Sequence, residues 1–442
     1  MTRTLAGRHR QLSQQVLASA LLLALPGLVA ASTDIKLEVG TSVRHTDNIA
    51  LREDDRVTET VLTPDVKFEA EKTGSVLQLI ARGALEYQHF LGGEFDPELR
   101  GNFVGHMEWT PVSHRIKFML EDYLSYQPVD VLSADSPDNA QQINVLVAGP
   151  SFYFQPAAGT QANLDLRYSR NDAQETKQFN SERGKVTAQL VRELSPVSRI
   201  AANASSSATR FEQGDAFPDY TRHEGYLSYG QNLRSLDLAF DVGRSWINLG
   251  DGTSHESSLA RVVIDWRLSA RSELNARLTH ELSDAAGEVM LHASDLDNPA
   301  GSFNQSSGNT VVVAPDIYRQ RHYELAYKHA GDRVQFSVEP WHEDNRYVLN
   351  DALDHELRGG RIDIGYRFAP NTSLAFNFSR VDRHYSNLLR DDEDVSGSIG
   401  IVHEFTRHWT MRSDLIHRKR DTNAPGLNYD ESSIYVRLAY RR

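Results

Sequence analysis

The chain has 442 residues, no cysteine and a formal net charge of −13 at pH 7. Without cysteine it forms neither a disulfide nor a thiolate zinc site, so non-covalent contacts alone must hold the fold. The acidic balance argues against a nucleic-acid-binding surface, which needs clustered positive charge.

Residues 1–31 predict a secretory signal peptide. A basic start precedes a mostly apolar run over residues 16–29, and the small residues Val29-Ala30-Ala31 suit cleavage. The alternative is a membrane anchor, which needs about 20 apolar residues. This run is shorter and is interrupted by Pro26. No later segment is apolar for long enough to be a transmembrane helix.

Alternating apolar and polar residues predict β-strands along the rest of the chain, residues 32–442. Ile116, Phe118 and Leu120 alternate with Lys117 and Glu121, so one face of that strand is apolar and the other is polar. The pattern recurs about 20 times. In chain order, predicted strands include residues 35–45, 60–71, 75–90, 160–170, 235–246, 256–268 and 432–440.

Every second predicted connection is short. These short connections carry Pro, Gly, Ser or Asn, as tight turns require, and they fall at residues 72–74, 111–113, 156–159, 195–197, 269–271, 330–332 and 370–372. The longer connections include residues 46–58, 127–141, 284–315 and 386–394. Short turns at one end and long loops at the other are typical of outer-membrane barrels. A soluble β-sandwich, the alternative, does not need this asymmetry.

Aromatic residues agree with a membrane barrel. Six of them lie within a few residues of a short turn, as a periplasmic girdle requires: Trp109, Phe154, Trp266, Tyr327, Phe368 and Trp409. The last predicted strand carries Tyr440 near its end, which suits recognition by the barrel-assembly machinery. It departs from the usual pattern because Arg441 and Arg442 follow the aromatic residue.

The sequence therefore predicts an all-β fold: a single transmembrane antiparallel up-and-down β-barrel of about 18–20 strands in the outer membrane of a Gram-negative bacterium. Short periplasmic turns and long extracellular loops complete it. A barrel this wide conducts unless something fills it. We expect no plug domain, so the longest loop, residues 284–315, is the candidate to fold inward. A mobile external loop is the alternative that its composition allows equally well.

The opening of the predicted barrel resembles a known family. Val39-Gly40-Thr41-Ser42-Val43, then Thr46-Asp47-Asn48-Ile49, then Leu62-Thr63-Pro64 looks like the start of large Gram-negative outer-membrane β-barrel proteins of the porin type. Some of these are associated with exopolysaccharide-biosynthesis loci or with protein-sorting systems linked to them. The resemblance implies an outer-membrane barrel and, more weakly, polysaccharide export. It brings no catalytic residues.

Alternation assigns a set of charged residues to the lumen. They are Arg82, Glu86, Arg115, Lys117, Glu121, Asp165, Arg167, Asp237, Arg261, Asp265, Glu273, Arg277, Arg361, Asp363 and Arg437. Rows of opposed charge could orient polar solutes in a pore. The alternative, which we favour, is that they pair across strands and stiffen the wall.

Two other groups of residues are candidates for metal binding or catalysis. The acidic stretches Glu53-Asp54-Asp55 and Asp391-Asp392-Glu393-Asp394 could bind Ca²⁺, but they lack the spacing of a calcium loop and fit solvated loops better. His342-Glu343-Asp344 and Asp354-His355-Glu356 flank one predicted loop. A hydrolase would need a nucleophile or activated water beside an oriented histidine, which sequence proximity does not supply. We expect no enzyme, no metal site and no cofactor.

The leading hypothesis is an outer-membrane channel for hydrophilic solutes, with exopolysaccharide export as a specific form. The alternative is a non-transporting surface or scaffold barrel that binds partners through its extracellular loops. Expected partners are outer-membrane lipid, lipopolysaccharide and the barrel-assembly machinery.

Overall fold

The computed structural model describes residues 33–213, 217–284 and 317–442. They form 20 strands: β1 (Asp34–Thr46), β2 (Glu59–Lys72), β3 (Leu77–Phe90), β4 (Glu98–Val112), β5 (Ile116–Gln127), β6 (Gln141–Ala157), β7 (Thr160–Ala173), β8 (Ser181–Ser195), β9 (Ser198–Phe211), β10 (Tyr220–Asn232), β11 (Leu236–Leu249), β12 (Ser254–Ser269), β13 (Ser272–Asp284), β14 (Ile317–Ala330), β15 (Val334–Tyr347), β16 (His355–Ala369), β17 (Thr372–Tyr385), β18 (Arg390–Glu404), β19 (Trp409–Thr422) and β20 (Tyr429–Arg441).

Helical structure is minor in this part of the chain. It consists of three single 3₁₀ turns, at Pro137–Asn139, Lys177–Phe179 and Asp351–Leu353. None of the helices in the described ranges is long and apolar enough to cross a membrane. The predicted all-β fold is confirmed.

The sheet closes on itself. Each strand pairs antiparallel with the next along the chain, and β1 also pairs with β20. At this seam Val43 lies opposite Val436. Closure leaves no free sheet edge, which is what a β-structure needs in lipid. The predicted up-and-down barrel is confirmed, at the upper end of its expected strand number.

Alternation gives the barrel an apolar outer surface. On β11, Phe240 and Val242 are 40% and 63% exposed, whereas Asp241 between them forms an ion pair with Arg261 of β12 at 3.6 Å. Successive side chains of a strand point to opposite faces, so the apolar residues face outward and the ion pair faces the lumen. An even-stranded closed barrel with an exposed apolar band is the architecture of a Gram-negative outer-membrane protein.

The two ends of the barrel differ as predicted. The connections at one end have two to four residues, for example 158–159 and 196–197. The start of β1 and the end of β20 lie at this same end. Connections at the other end include residues 47–58 and 128–140. The predicted aromatic girdle lies beside the short turns, where Trp109 is 46% and Phe368 52% exposed.

One predicted loop is wrong. Only residues 386–389 connect β17 to β18, and the acidic stretch Asp391-Asp392-Glu393-Asp394 lies inside β18. The strand accommodates these acids because each face offers a basic partner. Arg390 bonds Asp392 at 2.8 Å on the inner face, and Arg380 of β17 bonds Glu393 at 3.0 Å on the outer face. Cross-strand charge pairing stabilises a strand that composition alone disfavours.

The Asp47-Asn48 pair of the family-like motif fastens the seam. Asp47 accepts a hydrogen bond from the backbone N–H of Ser432 at 2.8 Å. Asn48 is fully buried and donates to the carbonyls of Arg52, at 2.8 Å, and Asp430, at 3.0 Å. The motif therefore ties the first long loop to the last strand.

Two predictions fall outside the described residues. The predicted signal peptide, residues 1–31, lies within the undescribed residues 1–32. The candidate inward loop, residues 284–315, lies within the undescribed residues 285–316 except for Asp284, which ends β13. Both stay predictions.

Candidate pore constriction

Four arginines from three strands face one region of the lumen near the seam. They are Arg44 of β1, Arg100 of β4, and Arg418 and Arg420 of β19. Each takes an inner position in its strand, as Arg44 does next to the outward-facing Val43. We call these four residues the arginine cluster.

Two carboxylates hold three of the four arginines in place. Glu431 is completely buried, accepts a hydrogen bond from Arg418 Nε at 2.6 Å and pairs with Arg44. Asp394 accepts from Arg420 Nε at 2.7 Å and from its Nη2 at 3.0 Å. Arginine is suited to such fork-like contacts with carboxylates.

The region carries more positive than negative charge. Asp394 faces a second arginine, Arg383 of β17, at 3.6 Å. Arg100 pairs with Glu98 of its own strand at 2.9 Å. The four arginines of the cluster and Arg383 are therefore five guanidinium groups that share three carboxylates, those of Glu431, Asp394 and Glu98. Removing an ion from water is costly unless it is paired, so the two unmatched positive charges favour a further anion nearby.

The connection between β5 and β6, residues 128–140, reaches toward these arginines, all of which lie within four residues of the long-loop ends of their strands. Asn139 fixes its path by donating to the carbonyls of Asp130, at 2.8 Å, and Ala134, at 3.0 Å, and by accepting from the Asp130 N–H at 2.8 Å. Gln141 donates to the carbonyl of Pro128 at 3.3 Å. Thirteen residues that run out and back can reach about 20 Å. We call this segment the β5–β6 loop.

Asp135 brings the β5–β6 loop opposite the arginine cluster. All four arginines of the cluster act electrostatically on its carboxyl group. Burial raises the pKa of Asp135 above its ordinary value, and the arginines oppose this only in part. Within the part of the chain that the structure describes, the carboxylate makes no salt bridge or hydrogen bond with any of them. A loop acid thus faces wall arginines across a gap.

The structure places the lumen residues predicted from sequence on the inner wall, with one exception. Arg115 is exposed in the turn before β5 rather than in a strand. The others occupy inner positions of their strands: Arg82, Glu86, Lys117, Glu121, Asp165, Arg167, Asp237, Arg261, Asp265, Glu273, Arg277, Arg361, Asp363 and Arg437. Whether they line a path for solutes stays a prediction.

These residues pair locally and do not converge on one site. Arg437 lies between Glu38, at 2.8 Å, and Asp65, at 2.6 Å, and Lys117 bonds Glu108 at 2.9 Å. Similar contacts join Arg82 to Glu69 at 3.9 Å, Glu121 to His106 at 2.8 Å, Asp165 to Arg167 at 3.2 Å, Asp237 to Arg267 at 3.4 Å, Arg361 to Glu339 at 4.0 Å, Asp265 to Asn275 at 2.7 Å, Asp363 to Ser337 at 3.2 Å, and Arg261 to Glu281. Lys67 interacts electrostatically with Glu86, and Arg277 interacts electrostatically with Glu324. The pattern supports the cross-strand interpretation of the wall charges.

Sequence reasoning missed the arginine cluster and Asp135. Alternation along β19 does put Arg418 and Arg420 on one face. It does not show that Arg44, more than 370 positions earlier, lies beside them. That contact follows from closure between β1 and β20, which sequence periodicity leaves implicit.

The described ranges hold no group of three or more His, Asp or Glu side chains that could bind a metal ion. His342 lies near Glu356 at 3.9 Å, and His322 contacts Glu343 at 3.2 Å. These are histidine–acid pairs across neighbouring strands.

Comparison with solved structures finds distant likenesses to outer-membrane proteins. The chain is similar to the siderophore receptor PirA from Acinetobacter baumannii, with 10% identity, a TM-score of 0.47, and coverage of 92% of this chain and 80% of that one. OccK2 from Pseudomonas aeruginosa gives 10% identity, a TM-score of 0.40, and coverage of 92% and 98%. OccAB4 from A. baumannii gives 8% identity, a TM-score of 0.38, and coverage of 93% of this chain and 99% of that one. No protein-family model and no curated protein matches the sequence.

Proposed function

We propose that this protein is an outer-membrane channel through which hydrophilic solutes pass, narrowed by the β5–β6 loop. The size of the barrel carries the proposal. Twenty strands spaced about 4.8 Å apart and tilted by about 40° enclose a cylinder about 40 Å across. Side chains on the wall cannot fill that space, and barrels of this size hold water or a plug.

The inner surface suits aqueous passage. Paired charges such as Arg437 with Asp65 keep the wall hydrated without giving it a strong net sign. The β5–β6 loop and the arginine cluster supply the narrow part, where selectivity is decided. A channel of this kind works by shape and electrostatics, so the proposal gives no residue a catalytic role.

Single-channel recording tests the proposal. The full-length mature protein, folded in detergent and added to planar bilayers in KCl, should insert in discrete conductance steps. Replacing residues 131–136 by two glycines should enlarge the steps, because it removes the part of the loop that carries Asp135. A comparable shortening of the exposed β19–β20 connection, at residues 424–427, should leave them unchanged. Heat-modifiable migration on gels confirms folding in each case.

A folded protein that never conducts would contradict the channel and favour the scaffold alternative, in which extracellular loops bind partners. Export of exopolysaccharide depends on the sequence resemblance alone and stays a prediction. Genes for glycosyltransferases and chain-length regulators beside this one would favour it. Lipopolysaccharide and the barrel-assembly machinery remain the partners that we propose for a barrel in this membrane.

A further inference from the structure

The arginine cluster has hydrogen-bonding capacity that the fold does not use. Arg44 Nε and Arg100 Nη2 are buried, and neither has a hydrogen-bond partner within the described part of the chain. Buried donors left without partners are costly, so such groups in a native protein call for an explanation. Arg44 shares its carboxylate partner, Glu431, with Arg418, whereas Arg100 pairs through its Nε with Glu98 at 2.9 Å and leaves Nη2 unused.

Asp135 supplies negative charge to this region without bonding to it. Its carboxylate lies within electrostatic reach of Arg44, Arg100, Arg418 and Arg420 but contacts none of them in the described structure. The acid is on a loop, whereas the arginines are on strands of a closed barrel. Displacement of Asp135 from the arginines therefore breaks no hydrogen bond or ion pair between the loop and the cluster in the described structure.

We propose that the arginine cluster is a binding site for oxyanions, and that Asp135 is a built-in competitor which an oxyanion displaces. The ligand is a carboxylate or phosphate group, because several oxygens on one centre can accept from guanidinium groups of different strands at once. The inference rests on the proposed function only in that the ligand reaches the site through the lumen. Displacement of Asp135 would move the β5–β6 loop and couple solute binding to the width of the constriction.

The charge arrangement favours an anion over a cation. Glu431 and Asp394 are already committed to two arginines each. An arriving cation would meet the positive cluster behind the carboxylate of Asp135. An arriving oxyanion would meet surplus positive charge and unused donors. Electrostatics of this kind decide which ions enter a narrow pore.

Titration calorimetry on the detergent-folded, full-length mature protein tests the site. Inorganic phosphate is the small-anion probe, and tetragalacturonate carries the same chemistry on a sugar polymer. Asp135→Asn removes the competitor and should tighten binding of at least one probe by about fivefold or more. Asp138→Asn is the matched control, since it makes the same charge change in an exposed residue of the same loop. It should bind as the wild type does.

A second substitution tests whether the gain comes from the cluster. Arg44→Gln in the Asp135→Asn background should reverse the gain, while Arg418 remains to pair with Glu431. A gain with phosphate alone identifies a small solute, and a gain with tetragalacturonate identifies an anionic polysaccharide. Equal affinities in Asp135→Asn and Asp138→Asn would overturn the inference even if the channel conducts. Oxyanion binding in a protein that never conducts would instead overturn the channel and leave the site standing.

Discussion

Two opposing effects act on the pKa of Asp135, burial and the positive charge of nearby arginines. The charged or titratable groups that face it from neighbouring elements are Arg44 of β1, Arg100 of β4, Arg418 and Arg420 of β19, and Tyr429 of β20. Burial favours its neutral form, the arginines favour its charged form, and burial dominates. A carboxyl group whose pKa is raised takes up its proton at a higher pH than an ordinary aspartate.

This balance predicts pH-dependent selectivity. As the pH falls toward the range where Asp135 binds a proton, the constriction loses one negative charge while the arginines keep theirs. The preference for anions over cations should therefore rise on acidification, beginning above the ordinary aspartate pKa of 3.8. Reversal potentials across a KCl gradient measure it. Asp135→Asn should show the raised anion preference at neutral pH and a flatter pH profile, and a wild-type profile as flat as that of the variant would contradict the prediction.

Asn48 shows what a single buried amide does at the seam. Its side chain bonds the loop that follows β1 and the backbone of β20, and no water can replace those bonds because the residue is fully buried. Asn48→Ala should lower the free energy of unfolding by about 1–3 kcal/mol. The temperature at which the folded gel band disappears reports it. Asn232→Ala, which removes an exposed amide bonded to Asp237, should have little effect.

At the scale of single residues, sequence carries local signals only. Alternation predicts an inner position for Asp237, Arg261 and Arg437 from each residue's own strand, and the strand pairing puts them at such positions. A role in lining a solute path stays a prediction. Alternation could not find the arginine cluster, because those partners are separated by hundreds of residues. It also did not find Asp135, because loop residues have no periodicity.

Strand β11 allows a direct test of the two faces. Phe240 faces outward and lies near the middle of the outward-facing apolar positions of β11. Ala239, the residue before it, faces the lumen and is exposed there. Phe240→Arg should destabilise the folded barrel by about 2–4 kcal/mol, because it places a charge near the bilayer midplane. Ala239→Arg adds the same charge one residue away and should be tolerated.

Urea titrations in lipid vesicles measure both variants, and Phe240→Ala corrects for the loss of the ring. If Ala239→Arg were as destabilising as Phe240→Arg, the assignment of faces on β11 would be reversed.

Strand ends were predictable to within a few residues because turn chemistry marks them. The predicted strand at residues 235–246 became Leu236–Leu249, and that at 60–71 became Glu59–Lys72. β18 was the exception: a run of four acids looks like a solvated loop. Its basic partners, such as Arg380 and Arg420, lie on neighbouring strands that a single segment does not reveal. Strand identity in this barrel is therefore decided partly by cross-strand charge.

At the scale of the whole molecule, closure creates the constriction. Pairing of β1 with β20 brings Arg44 to Glu431 and Arg418, and the β5–β6 loop then faces them from several strands away. An open sheet made of the same strands would separate these groups. The overall barrel was predictable because each strand carries the same local signal, whereas the site depends on one long-range contact.

The seam itself can be tested by cross-linking, because the chain has no cysteine of its own. Val43 and Val436 are direct partners across β1 and β20, and partners in an antiparallel pair lie about 4.5–5.5 Å apart between Cα atoms, within the range a disulfide needs. Val43→Cys with Val436→Cys should therefore form a disulfide in the folded protein under mild oxidation. The boiled, non-reduced chain should then migrate faster on gels than the reduced chain, because the bond joins its two ends.

Val43→Cys with Tyr440→Cys is the control, since Tyr440 is the partner of Val39 and lies about 13 Å too far along the strand. Cross-linking of the control pair in preference to the Val43–Val436 pair would show a different register at the seam, and cross-linking of neither in a folded barrel would show that β1 and β20 do not close it.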